Sequence, residues 1–174
     1  NWFPGAGIDI FGRGNLVAYN RVVGLLFQSN DPLNTPDDAI SVTGRNHHIR
    51  DNIIGLTSDG VPFGTCGEGI HLGGASGAHF IQVRDNLVVG AQGAAGILVA
   101  AGPLGYDLDA VTVQGNVIRA SKAQAFDFSP NVPAALRLFN PAAITQIDGV
   151  NVTGTSGADS LCANCVIEVF LDHN

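Results

Sequence analysis

Methionine is missing from this chain of 174 residues, and tryptophan occurs once, lysine once (Lys122) and cysteine three times. Charged residues make up 13% of it, about half the share of an ordinary soluble domain. So little charge, beside so much glycine, excludes a coiled coil or helix bundle. No apolar run approaches the roughly 18 residues a membrane helix needs, so no membrane insertion is expected. Basic residues are short as well: eight Lys and Arg stand against fifteen Asp and Glu, a formal net charge of −7. A phosphate backbone repels such a chain, which excludes nucleic acid as the expected partner. What the sequence does have is 23 glycines and 45% hydrophobic residues. That is enough apolar material for a core and excludes disorder. The length fits about one domain, and the composition points to a glycine-rich, all-β chain.

The first residue is Asn1, with no initiator methionine and no signal peptide, so the chain is expected to be a processed or excised piece. The scarcity of lysine beside abundant Asn, Gly and Thr suits a secreted protein. Cys162 and Cys165 form a Cys-Ala-Asn-Cys run. A local disulfide is the first reading. Free thiols and a metal remain as alternatives, although no second Cys-x-x-Cys completes a zinc site. Cys66 is left over, either a buried thiol or an intermolecular bridge. Asn151-Val-Thr153 is a glycosylation sequon if the source is eukaryotic.

Two motifs recur along the chain. Gly7-Ile-Asp-Ile10 is followed by Ala39-Ile-Ser-Val42, Gly69-Ile-His-Leu72, Gly96-Ile-Leu-Val99 and, more weakly, Ala125-Phe-Asp-Phe128. The second motif contains Asn20, Asn52, Asn86 and Asn116, each flanked by alternating Val, Ile or Leu. Both motifs step by about 30 residues. Within each motif the period is two, the signature of a strand with one buried face. A repeat of this length, built of short strands and loops, is one coil of a parallel β-solenoid. Equivalent positions then stack about 4.8 Å apart. Asn20, Asn52, Asn86 and Asn116 become a structural ladder at a bend, where amides satisfy backbone groups and one another. Pro and Gly assign residues 25–37, 57–67, 102–109 and 129–133 to inserted loops.

The run Asn52-Ile-Ile-Gly55, followed by Gly67-Glu-Gly-Ile-His-Leu-Gly-Gly74 and Asn86-Leu-Val-Val-Gly90, resembles the right-handed parallel β-helix repeat. The similarity is to its long-repeat form in secreted and cell-surface bacterial proteins, and it covers about residues 7–128. It implies an all-β, right-handed parallel β-helix of about four to five coils over residues 1–140 and an extracellular or cell-surface location. Residues 141–174 resemble the start of the small β-sandwich-like module that often follows such helices, and the Cys-x-x-Cys before a strand fits that pattern. This tail is expected as a short β extension, truncated or exchanging strands. The family's architecture carries polysaccharide lyases and other glycan enzymes as well as non-catalytic adhesins, so it does not by itself fix an activity.

Candidate chemistry lies on the outward faces. Arg45, His47, His48, Arg50 and Asp51 form a cluster, with Arg84 and Asp85 one coil on. His48, Gln82 and Thr112 share one position relative to the Asn ladder, and Arg50 and Arg84 another. An outward patch of His48, Arg50 and Arg84 suits an acidic glycan and is the alternative catalytic set for a polysaccharide lyase or glycoside hydrolase. A solvated face with Arg–Asp pairs is the simpler expectation. Asp9, Ser41 and His71 stack on one outer face, but a flat strand lacks the sharp turn that exposes a nucleophile. Asp31, Asp37, Asp38 and Asp59 fall in loops without the dense alternation of a calcium loop. No metal site and no cofactor are therefore expected.

Four or five coils make a rod only about 20–25 Å long, short for a glycan-cleaving groove. The ends carry more. A solenoid needs caps, and Trp2 and Phe3 sit in a segment too short for a capping helix. Val166, Val169 and Leu171 form an apolar strand without an obvious partner in the chain. These five residues are candidate assembly contacts, pairing copies of the chain head to tail by strand addition. The expected function is a non-enzymatic extracellular structural or adhesive module that assembles with itself. A polysaccharide-binding or polysaccharide-cleaving module is the alternative.

Overall fold

A computed structural model describes residues 6–25, 38–73, 77–93, 95–100, 108–129, 132, 143–149 and 151–155. Trp2, Phe3, Cys162, Cys165, Val166, Val169 and Leu171 lie outside these residues. The chain divides into two compact units, residues 1–132 and 133–174.

The first unit is an all-β parallel solenoid of about three turns, with no helix among its described residues. A partial turn contributes β1 (Ala6–Ile10), β2 (Leu16–Ala18) and β3 (Arg21–Val22). Four-strand turns follow: β4 (Asp38–Val42), β5 (Gly44–Arg45), β6 (His48–Arg50) and β7 (Ile53–Ile54); then β8 (Ile70–Gly73), β9 (Ala78–His79), β10 (Gln82–Arg84) and β11 (Leu87–Val89). The next is β12 (Ala95–Ala100), β13 (Leu108–Asp109), β14 (Thr112–Gln114) and β15 (Val117–Arg119), and β16 (Gln124–Phe128) closes the unit. Strands stack into four parallel sheets. Sheet I is β1-β4-β8-β12-β16, sheet II β5-β9-β13, sheet III β2-β6-β10-β14 and sheet IV β3-β7-β11-β15.

Every sheet is in register from rung to rung, so like residues stack on like. Ile8, Ile40, Ile70, Ile97 and Phe126 form one column of sheet I. Val17, Ile49, Val83 and Val113 form the inward column of sheet III, and Val22, Ile54, Val88 and Ile118 that of sheet IV. The middle members of these columns are fully buried and converge in a single core. A register slip by one residue would turn each column out to solvent, and the apolar repeat therefore fixes the pairing.

The turns between sheets use left-handed backbone. Tyr19, Asp51, Asp85 and Gly115 all have positive φ, each one residue before a ladder asparagine. Asp and Gly tolerate this conformation best. Each asparagine oxygen after the first accepts two bonds from the rung before it. Asn86 Oδ1 takes the Asn52 backbone N–H (3.1 Å) and amide (2.9 Å), and Asn116 Oδ1 takes those of Asn86 (3.0 and 2.8 Å). Asn52 Oδ1 does the same for Asn20, both bonds at 3.0 Å. The amides of Asn52, Asn86 and Asn116 also donate to the carbonyls of Val17, Ile49 and Val83. The left-handed residue thus turns the chain, and the asparagine serves the backbone groups the turn releases from the ladder.

Sheet I has a kink at one column, where strand alternation breaks: Ala39 and Ile40 are buried in succession, and the bridging pairs Ala6–Asp38 and Ile8–Ile40 leave out Gly7 and Ala39. The residues in this column are Gly7, Ala39, Gly69, Gly96 and Ala125. A Cβ on Gly69 would lie 2.3 Å from Val88 Cγ1, and one on Gly96 2.4 Å from Ile118 Cγ2. The small residue presses against the inward side chains of sheet IV, which leaves no room for a methyl at these two rungs. The next residue, the Ile column, also faces the core. The residue before the kink and the residue three positions after it therefore share the outer side.

In the second unit, β17 (Ala143–Asp148) and β18 (Asn151–Thr155) form an antiparallel hairpin. The register shifts between Ile144 and Gln146, and Gly149 turns the chain with φ 58°. Asp148 faces Asn151 across a two-residue loop, a geometry that favours glycine.

Candidate functional site

Two polar regions of the solenoid stand out. The first is the outer face of sheet III. Leu16, His48, Gln82 and Thr112 form one outward column, and Ala18, Arg50, Arg84 and Gln114 the next. His48 is exposed, while Gln82, Arg50 and Arg84 are half-buried. Arg50 donates to the Tyr19 hydroxyl (2.8 Å) and to Asp51 Oδ2, and its guanidinium lies 5.1 Å from the centre of the Tyr19 ring. The hydrogen bonds to Tyr19 and Asp51 hold Arg50 above its ordinary pKa. Tyr19 itself is 73% exposed and offers a flat aromatic surface beside the Arg column. The buried Nε of Arg84 has no hydrogen-bond partner among the described residues. His47 does not join this face. Strand alternation turns it into the core, where it is fully buried and its Nδ1 accepts the backbone N–H of Asn15 at 3.1 Å. The sequence cluster from Arg45 to Asp51 is thereby split between outside and inside.

The second region is the kinked edge of sheet I. Asp9, Ser41 and His71 do stack in one outer column, continued by Leu98 and Asp127. His71, however, bonds neither of its column neighbours through Nδ1. That nitrogen lies 2.9 Å from Asp38 Oδ2. Asp38 is not in a loop: it is the first residue of β4, and Asp38 and Glu68 stand at equivalent places two before the paired Ile40 and Ile70. The other oxygen, Asp38 Oδ1, accepts the Glu68 backbone N–H at 3.0 Å. One ligand-type atom from each of Asp38, Glu68 and His71 lies within 4.8 Å of the others. Glu68 is only 8% exposed, and a Cβ on Gly93 would fall 2.7 Å from its Oε1, so bare backbone packs against the carboxyl.

Burial alone would raise the Asp38 pKa, but the hydrogen bond from His71 and those with Glu68 outweigh it, and the carboxyl titrates below its ordinary value. Burial likewise pulls His71 down, and the Asp38 hydrogen bond and charge, with the charge of Glu68, carry it above its ordinary value. Both shifts favour a charged Asp38–His71 pair. The Nε2 of His71 is buried without a hydrogen-bond partner among the described residues.

No protein-family model, curated protein or solved structure matches the chain. The chemistry of the two regions must carry the functional reading.

The kink explains why the second region escapes a strict period of two. That period puts Asp38 on the opposite side from Ser41 and its column neighbour His71. The recurrent Gly or Ala before each Ile was the available signal, since a small residue in every copy marks a close approach.

Proposed function

We propose that this chain is a non-enzymatic extracellular structural or adhesive module that binds an acidic polysaccharide along sheet III. The observation that carries the reading is the rung-spaced pair Arg50 and Arg84, flanked by His48 and Gln82 and ending on the exposed ring of Tyr19. Guanidinium groups match carboxylate geometry with two parallel donors. Rungs about 4.8 Å apart present these donors as a lattice to an extended polymer. The tyrosine ring offers an apolar platform with a polar tip. A flat face of this kind holds a chain without converging acid and base on one bond, which favours adhesion over cleavage.

The solenoid is proposed to wind right-handed, the hand of nearly all crossovers between parallel strands. Five rungs on sheet I support four to five coils. Head-to-tail assembly completes the proposal. Among the described residues β1 and β16 are edge strands of sheet I, and edges of this kind template strand addition.

Polygalacturonate oligosaccharides test the glycan reading. Isothermal titration should show binding that weakens at least tenfold in R50A/R84A, with no unsaturated or shortened product after prolonged incubation. Product formation would overturn the non-enzymatic part, and equal binding by the double variant would overturn the assigned face.

A further inference from the structure

Asp38 and Glu68 set an electrostatic problem away from water, whereas the other carboxyls stacked on neighbouring rungs, Asp51 and Asp85, are half-buried and exposed. Two carboxyl groups occupy equivalent places on neighbouring rungs, the Asp38 carboxyl bonded to the Glu68 side chain, and two negative charges so placed repel unless a proton or a cation lies between them. One imidazole serves both. Its Nδ1 already meets Asp38, while its Nε2 is buried without a partner among the described residues. A buried polar atom left unpaired is costly, and a water or a cation is the usual remedy.

We propose that Asp38, Glu68 and His71 form a binding site for one first-row divalent metal ion, joining β4 to β8. Two carboxylate oxygens and one imidazole nitrogen are a donor set for Zn²⁺, Fe²⁺, Co²⁺ or Mn²⁺, whereas Ca²⁺ and Mg²⁺ favour oxygen alone. Metal–ligand bonds of about 2.0–2.2 Å let an ion span at most about 4.4 Å between opposite ligands. The three donor atoms already lie within 4.8 Å of one another. Small rotations of the carboxyl ends close the site. A proton held by the ligating nitrogen or by a carboxyl leaves to solvent as the ion enters. Two anionic ligands balance the ion's charge. Waters complete the coordination beside the three protein donors found among the described residues. The kink is what makes the site: Gly69 lets Glu68 and His71, three residues apart, reach the same outer side. This inference is independent of the sheet III reading.

Co²⁺ is the probe, because its visible spectrum reports coordination and a thiolate ligand adds its own near-ultraviolet charge-transfer band. The full chain, stripped with chelator, is titrated with Co²⁺ alone. The expected result is one ion per chain, d–d bands without a thiolate band, and a higher melting temperature. E68Q and H71A should each lower the affinity at least tenfold. E68Q is close in shape to the native residue, so it keeps the test alive if H71A fails to fold. Absence of saturable binding would overturn the proposal. So would binding unchanged in E68Q, or a dominant thiolate band, which would place the ion on cysteine. Ca²⁺ competing as strongly as Zn²⁺ would also overturn the imidazole-containing donor set.

Discussion

The solenoid builds two polar columns at its bends, and they differ in kind. At the bend between sheets III and IV every rung supplies the same residue. Asn20, Asn52, Asn86 and Asn116 hand hydrogen bonds along in one direction, so each oxygen but the first has its donors. At the kink of sheet I the equivalent places hold Ala6, Asp38, Glu68 and then Ala95 and Gln124. Only the second and third of these five rungs carry carboxyls, and they meet a single histidine from the outer column. The first column is a solution to the backbone's own demands and works wherever the turn recurs. The second serves one backbone group, the Glu68 N–H bonded to Asp38, but no recurring one, since Ala fills the same place on other rungs. Repetition in a solenoid marks what the fold needs, and a local break in repetition marks where chemistry has been added.

The largest effect is expected where the repeat is interrupted in its middle. Asn86→Ala removes the acceptor of Asn52's backbone N–H and amide, and the donor to the Ile49 and Arg84 carbonyls. Asn86 is 1% exposed, so water cannot take over these bonds. A loss of about 2–4 kcal/mol is expected in urea unfolding, from several buried groups left unpaired at about 1–3 kcal/mol each. Asn20→Ala, at the exposed end of the ladder, should cost well under half as much. Equal losses at the two positions would show that the column does not act as a chain of buried bonds.

Much of this architecture was legible in the residues. The Gly-Ile-x-Ile and Asn motifs repeat because stacked rungs place the same demand on each copy, so two anchors with one period reveal a parallel solenoid. Outward columns such as His48 over Gln82, and Arg50 over Arg84, follow from counting back from the asparagine. The Asp38–Glu68–His71 corner was not legible. It depends on a kink that replaces the period of two by a spacing of three, and on partners 30 and 33 residues apart that no shared motif connects. His47 shows the same limit from the other side, because adjacent residues on a strand face opposite ways and a cluster in sequence need not be one in space.

The kink itself is the next place to sharpen the comparison. Gly69→Ala puts a methyl 2.3 Å from Val88 Cγ1 and 2.7 Å from the Gly96 carbonyl oxygen. One neighbour is backbone and the other lies in the packed core, so neither yields freely. Overpacking of this kind costs about 1–3 kcal/mol, less than cutting the ladder at Asn86. The strain also lies between Glu68 and His71 in sequence, so the variant should weaken Co²⁺ binding without touching a ligand. Loss of stability with unchanged metal affinity would separate the kink from the site.

Glu68→Gln is expected to have the smallest effect on folding, and that is its value. The change keeps the side chain's shape and removes one of two facing carboxylates. Asp38 keeps its bonds to the Glu68 backbone N–H and His71 Nδ1, and the new amide can donate to it where the Glu68 side chain bonded it before. Removing a like charge from a buried site offsets whatever contact the carboxyl supplies, as when a buried ionic group gives way to a neutral one of equal volume. In chelator the change in unfolding free energy should stay below about 1 kcal/mol, far from the cost at Asn86. With Co²⁺ added, only the native chain should gain melting temperature, because only it keeps the second anionic ligand. A metal-free loss as large as that of Asn86→Ala would mean that Glu68 is a structural group of the rung after all. The two polar columns would then be variants of one device and not a scaffold beside an added site.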